Sequence, residues 1–294
     1  MAGKWIKPFT WFEPWPEVWI TLGIKLEMLT LIFLYLICGA AAGLMAGLLG
    51  LGGGLIVVPM LNYIFQLSAG VPDELCMRLA VGTSLASIMF TGASSTRAHA
   101  RRGSVLWPWV WPLAPTLALG TFLGSALAAG LPISGLKAFF AFFLVAVAIQ
   151  MLADYYPAAR GQKPGRAVLA GAGFFIGGVS SLVGLGGGTM SVPFLRWSGV
   201  ELRQAVGTSA AMGWAIALAG TLGYILNGWE APGLPQYSLG YISLPATLGV
   251  AATSIFFAPL GARLSHALPL GVLRKLFAVF LVLMAVRMSW ELLV

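Results

Sequence analysis

The strongest constraint on this chain is a short glycine-rich stretch that occurs twice. The first copy is Gly50-Leu51-Gly52-Gly53-Gly54-Leu55-Ile56-Val57-Val58-Pro59, and the second is Gly184-Leu185-Gly186-Gly187-Gly188-Thr189-Met190-Ser191-Val192-Pro193. Each sits within a long apolar run. Glycine costs about 1 kcal/mol and proline about 3 kcal/mol in a helix interior, so neither stretch continues an α-helix. In lipid, broken backbone survives only where protein buries it or a polar cavity takes up its free groups. Each copy is therefore expected to form a helix, a break and a partial helix, with the break at membrane depth.

Composition agrees. The 294 residues are 59% hydrophobic and only 9% charged, with a mean hydropathy of +0.90; soluble domains carry about 25% charged residues. The expected class is an all-α membrane protein, because apolar runs reach about 20 residues and the period-two alternation of a β-barrel is absent. The net charge of +8 does not point to nucleic acid, because the basic residues fall in short loops between apolar segments, where orientation signals sit. The two cysteines, Cys38 and Cys76, make neither a disulfide framework nor a metal cluster and are expected to pack. No cofactor and no metal is expected.

Residues 1–27 lack the head, core and cleavage site of a secretory signal. Trp5, Trp11, Trp15 and Trp19 alternate there with Lys4, Lys7, Glu13 and Glu17, which suits a tail lying in the membrane interface. Ten apolar segments follow, near 28–49, 55–67, 76–96, 105–129, 136–153, 167–183, 189–200, 205–226, 240–262 and 271–291. The second and seventh are too short to cross a core of about 30 Å at about 1.5 Å per residue.

The segments repeat. The GLGGG-x₄-P stretch recurs, Ala80-Val81-Gly82-Thr83-Ser84 matches Ala205-Val206-Gly207-Thr208-Ser209, and the run from Leu131-Pro132 matches that from Leu268-Pro269. Residues 28–154 and 167–294 thus read as two five-segment repeats, joined by a cytoplasmic linker at 155–166. Loop charge reads them as inverted. The loop after the third segment carries Arg97, Arg101 and Arg102; its counterpart at 227–239 carries Glu230 and no cation. The loop between segments four and five has only Lys137 at its edge, where its counterpart has Arg263, Arg274 and Lys275. Equivalent loops of opposite bias belong on opposite faces. With both termini outside (periplasmic in a bacterial inner membrane), eleven of the seventeen basic residues fall inside.

The breaks are the first candidates for chemistry. The partial helices beginning near Leu55 and Thr189 would offer positive N-terminal ends to an anion. Thr189 and Ser191 add hydroxyls in the second copy only. The same glycines would also serve tight helix packing. A soluble phosphate loop does not fit, because no lysine follows the glycines as that motif requires. Thr83-Ser84 and Thr208-Ser209 supply paired hydroxyls at matched positions, for an oxyanion or sodium, or for bonds back to the helix. Arg196 stands where the first copy has Asn62; it would draw an anion toward the second break or anchor an inside boundary. No acid or histidine except His99 occurs from Arg78 through Gln150. The buried carboxylates and histidines of proton-coupled carriers are missing, and no catalytic group can be assigned.

With these motifs the sequence resembles the TauE/SafE family of sulfite and organosulfonate exporters, also called the 4-toluene sulfonate uptake permease group. The resemblance rests on the two GLGGG-x₄-P stretches, each followed by Ala-Val-Gly-Thr-Ser, and covers nearly everything beyond about residue 28. It implies a transporter of a small sulfur-containing anion, such as sulfite, sulfoacetate or a related sulfonate, in the bacterial inner membrane. The substrate-binding positions it implies are Gly52, Gly53, Gly54, Pro59, Gly186, Gly187, Gly188, Pro193, Thr83, Ser84, Thr208 and Ser209. The residues themselves add Asn62, Thr189, Ser191 and Arg196. The expected mechanism is alternating access between the halves, in contact with lipid, and it leaves room for a coupling ion and a homo-oligomer. An anion channel using the breaks as a pore, and a membrane scaffold acting through the Trp-rich tail, are the alternatives.

Overall fold

The computed structural model describes residues 16–49, 53–68, 71–153, 164–264 and 270–292. Ten helices occur among them: α1 (Pro16–Leu49), α2 (Gly54–Leu67), α3 (Asp73–Ala100), α4 (Trp107–Gly130), α5 (Ile133–Ala153), α6 (Arg166–Val183), α7 (Gly188–Trp197), α8 (Leu202–Asn227), α9 (Leu244–Leu264) and α10 (Leu270–Trp290). Each expected segment corresponds to one helix. Seven helices (α1, α3, α4, α5, α6, α8 and α9) are long and apolar enough to cross a membrane. At about 1.5 Å per residue, α2 and α7 reach only about 21 Å and 15 Å.

The first helix begins earlier than the apolar run suggested. It starts at Pro16, a residue suited to a first helical turn, and no proline interrupts it before Leu49. Of the expected tail, residues 16–27 thus belong to α1, and 1–15 lie outside the described residues. Most of the 155–166 linker lies outside them too.

The centre of the bundle is α3 and α8. In the most apolar window of α3, 78% of residues are buried, and in that of α8 56%, against 33–44% for α1, α4, α5, α6 and α9. The principal helix pairs are α1 with α9, α4 with α6, α3 with α8, α4 with α8, α3 with α9, α5 with α10, α2 with α3 and α7 with α8. Exchanging each helix of the first five with its counterpart in the second five reproduces this set; α1 also packs on α2, which α6 and α7 do not match. Close approach depends on glycine. A Cβ on Gly39 or Gly43 of α1 would run into the Val250 or Ser254 backbone of α9, and one on Gly177 of α6 into the Leu117 carbonyl of α4. Small residues four apart let membrane helices approach this closely.

Two helix pairs at matching positions, α5 with α10 and α3 with α8, run antiparallel. Lys137, in the first turns of α5, pairs at 2.9 Å with Glu291, one residue beyond α10. Leu85 of α3 lies beside Gly220 of α8, and further along α3 Gly92 lies beside Trp214, so α8 recedes as α3 advances. Large apolar side chains are exposed around the outside, among them Phe33, Trp111, Phe142, Phe256 and Leu283. Cys38 and Cys76 are free thiols buried in the core.

Candidate functional site

The second break is built by two left-handed glycines. Gly184 ends α6 with φ +70°, and Gly187 opens α7 with φ +73°, a region that L side chains rarely enter. The amide of Leu185 turns back to the Ser180 carbonyl at 2.9 Å, and those of Met190 and Ser191 close onto the Gly187 carbonyl at 3.1 and 2.8 Å. In the first break, Gly53 opens α2, and the amides of Ile56 and Val57 both reach its carbonyl at 3.0 Å. Gly52 lies outside the described residues. Pro59 and Pro193 sit inside α2 and α7. Having no N–H, they leave the carbonyls of Leu55 and Thr189 without the usual helical donor.

The two breaks touch. Gly54 packs so closely on the Gly184 carbonyl that a Cβ would collide with it. The Ser84 hydroxyl of α3 donates to that same carbonyl at 2.8 Å. Gly186 lies between Ile88 of α3 and Gly213 of α8. The second break is thus held by helices of the first copy as well as its own.

The Gly-Thr-Ser clusters have a defined structural task. Thr83 Oγ1 accepts a 3.0 Å hydrogen bond from the amide of Ser243, and Gly82 packs on the Tyr241 carbonyl. Thr208 Oγ1 accepts one of 3.0 Å from the amide of Leu106, and Gly207 packs on the Ser104 carbonyl. Each cluster therefore holds the segment leading into the fourth helix of the other copy. The Ser209 hydroxyl donates to the Val206 carbonyl at 2.8 Å.

The hydroxyls at the start of α7 differ. Among the described residues, Thr189 Oγ1 and Ser191 Oγ are buried with no hydrogen-bond partner; the residues are 4% and 0% exposed. An unsatisfied buried hydroxyl costs about 1–3 kcal/mol. Both stand in the first turn of a helix, beside free amides and the positive end of its dipole. Asn62 Oδ1 is likewise buried without a partner. Arg196 stands in the last turn of α7, where its Nη1 reaches the Val200 carbonyl at 3.4 Å. Eight residues separate it from Gly188, about 12 Å along the helix. The structure does not bring Arg196 to the second break, and Asn62 stands equally far along α2.

A cavity of about 30 Å³ lies at the breaks, walled by Gly53, Gly186, Ser209, Gly213, Thr91 and Ser95 among others. That is room for about two waters at roughly 10–15 Å³ each. Thr91 and Ser95 lie outside the doubled motifs. Their signal was a four-residue spacing of polar residues along α3, Thr83-Ser87-Thr91-Ser95-His99, all buried. The Thr91 hydroxyl also meets that of Ser254 in α9 at 2.6 Å.

At the other end of α3, Glu291 gathers three helices. It accepts 2.9 Å hydrogen bonds from Gln66 of α2 and Lys137 of α5 and lies 3.7 Å from Arg287. Burial pushes its carboxyl up, but the hydrogen bonds of Gln66 and Lys137 and the charges of Lys137 and Arg287 hold it below its usual value. Arg287 also stacks on the Tyr63 ring of α2 at 3.6 Å. His99 is buried in the last turn of α3, and His266 lies outside the described residues. No three His, Cys, Asp or Glu residues that could hold a metal come together among the described residues.

Comparison with known proteins agrees with a membrane bundle. The family described as "Sulfite exporter TauE/SafE" matches residues 35–288. A "Probable membrane transporter protein" of Haemophilus influenzae is 40% identical over 264 residues, covering 89% of this chain and 99% of the relative. One of Methanocaldococcus jannaschii is 28% identical over 84% of this chain and 91% of the relative. The Bacillus subtilis protein YunE, with the same description, is 21% identical over 87% and 96%. No solved structure matches. The chain is a membrane protein, and it belongs to the TauE/SafE sulfite exporter family of membrane transporters.

Proposed function

We propose that this protein is a secondary carrier for a small sulfur-containing anion (sulfite, sulfoacetate or a related organosulfonate), working by alternating access across a bacterial inner membrane. The observation that carries the reading is the junction of the two breaks, where Gly54 packs on the Gly184 carbonyl and the hydroxyls of Thr189 and Ser191 are buried without partners among the described residues. A bound oxyanion would accept from those hydroxyls and from the first amides of α7, supplying what the protein leaves unmet. Its charged group is expected nearer the second break, since the first copy has Leu55 and Val57 at the equivalent places.

In this reading residues 28–154 and 167–294 are inverted repeats, with a cytoplasmic linker at 155–166 and both termini periplasmic. Support comes from the antiparallel runs of α5 against α10 and α3 against α8, and from the opposite charge of equivalent loops. Two arrangements of such halves can exchange roles about a fixed central site. The remaining substrate-binding positions are Gly52, Gly53, Pro59, Gly186, Gly187, Gly188 and Pro193, which shape the breaks. Thr83, Ser84, Thr208 and Ser209 hold the surrounding backbone. A coupling ion and a homo-oligomer are compatible with this arrangement.

Reconstitution tests it. The full chain in liposomes is expected to take up sulfite or a sulfonate saturably, and unlabelled substrate on the far side should accelerate exchange. Uptake that rises linearly with concentration, without acceleration by counterflow, would indicate a channel instead.

A further inference from the structure

Arg78 stands in the second turn of α3, five residues before Thr83, and Arg203 stands five residues before Thr208. The doubled motif is therefore longer than Ala-Val-Gly-Thr-Ser: it reads Arg-x-Ala-Val-Gly-Thr-Ser in both copies. Because α3 and α8 run antiparallel, the two arginines lie toward opposite ends of the bundle.

Arg78 is only half satisfied. Its Nη2 donates to the carbonyl of Leu131, just past the end of α4, at 2.8 Å. Its guanidinium carbon lies 5.9 Å from the centre of the Tyr241 ring, near the outer limit of a cation–π contact. Its Nε is buried and donates to nothing among the described residues. Lys137 and Arg287, the cations of α5 and α10 that meet Glu291, share that one carboxylate. Arg78 forms no ion pair among the described residues.

Capping α4 accounts for one donor of five. It does not account for a buried N–H, or for a cation on a membrane-spanning helix with no carboxylate partner among the described residues, where a charge is costly and marks a path for ions or substrates. The neighbours of Arg78 also belong to the site: Tyr241 rests its carbonyl on Gly82, and two residues on, Ser243 is held by Thr83.

We propose that Arg78 is the docking residue for the substrate's oxyanion group at the mouth of the transport path on the Glu291 side, one stage before the breaks. The inference rests on the carrier reading above and deepens it. The substrate oxygens take the buried Nε–H, while Nη2 stays on Leu131. A guanidinium offers a directed N–H to a sulfite or sulfonate while its Nη2 caps α4; a lysine ammonium, a point charge, cannot do both in the same geometry. Arg203, exposed at the start of α8, holds the same place in the motif for the opposite mouth.

The test is sulfite uptake by proteoliposomes holding the full chain, as wild type, Arg78→Gln and Arg78→Lys, with the melting temperature of each. Loss of a charge-assisted hydrogen bond should raise the half-saturation concentration of Arg78→Gln about 10- to 100-fold, with the maximal rate within about twofold. Arg78→Lys should show an intermediate rise, about 3- to 10-fold, which keeps the question decidable should the glutamine variant fail to fold. A lowered melting temperature with unchanged half-saturation in either variant would reduce Arg78 to a helix cap and overturn the inference alone. Absence of saturable wild-type uptake of sulfite, sulfoacetate and 4-toluenesulfonate would overturn the carrier reading and this inference together.

Discussion

The hydroxyl of Ser84 donates a 2.8 Å hydrogen bond to the carbonyl of Gly184. A residue of the first copy thereby holds the second copy's break, across 100 positions of sequence. Replacing Ser84 with alanine would leave a buried carbonyl unmet, at a cost of about 1–3 kcal/mol. Thermal unfolding in detergent should show Ser84→Ala melting below wild type. An unchanged melting temperature would show that the bond is dispensable.

The glycines of the breaks differ sharply from others in the chain. Gly54→Ala drives a Cβ into the Gly184 carbonyl, a backbone atom that cannot swing aside. Overpacking of this kind costs about 1–3 kcal/mol, and the displaced break should lower uptake at least about tenfold. Gly171→Ala, in α6 with nothing within 4 Å of its new methyl, should be neutral or stabilise by up to about 1 kcal/mol. Parallel melting curves and uptake rates of the two variants check the contrast.

Thr189→Val and Ser191→Ala should move stability and affinity in opposite directions. Each hydroxyl is buried without a partner among the described residues, so its removal lifts a desolvation cost and should raise the melting temperature or leave it unchanged. If the hydroxyls donate to an anion, each loss weakens binding by about 1.5–3 kcal/mol, roughly 10- to 150-fold. Titration calorimetry with sulfite, beside thermal unfolding, reads both. Weaker binding together with a fall in stability would mark the hydroxyls as structural.

Glu291 should give the fold an acid-side pH dependence. Its carboxyl faces Lys137, Gln66 and Arg287 and is held below its usual value. A lowered folded pKa stabilises the fold above the unfolded value of about 4.3, and that contribution fades as pH falls through the folded value. Glu291 is partly exposed, so the pair contributes only about 0–1 kcal/mol. Wild type should melt slightly above Glu291→Gln at pH 6–7, and the difference should shrink as pH falls below the unfolded value of about 4.3. A difference that stays constant or grows as pH falls below about 4 would contradict the assignment.

Much of this architecture is legible in the sequence because glycine and proline act locally. The GLGGG-x₄-P punctuation placed both breaks and both short helices, and uninterrupted apolar runs placed the rest. The start of α1 was not legible, because its first turns mix Trp, Glu and Lys and carry no apolar run to mark them. Nor were the partners of Thr83, Ser84 and Thr208, which come from 100 to 160 residues away. In the sequence those hydroxyls suit either a ligand or a bond back to their own helix, and in the fold they meet backbone groups of the opposite copy. Thr91 and Ser95 line the cavity for a reason equally invisible in one helix: α8 and both breaks converge on that face of α3.

The most direct test of the central claim is substrate counterflow in liposomes reconstituted with the full chain, comparing wild type with Gly54→Ala and with Thr189→Val. The account predicts saturable, exchange-accelerated movement of sulfite or a sulfonate by wild type, a rate at least about tenfold lower for Gly54→Ala, and a raised half-saturation for Thr189→Val. Saturable transport that is the same in all three proteins would contradict it, because the junction of the two breaks would then not be where the anion binds.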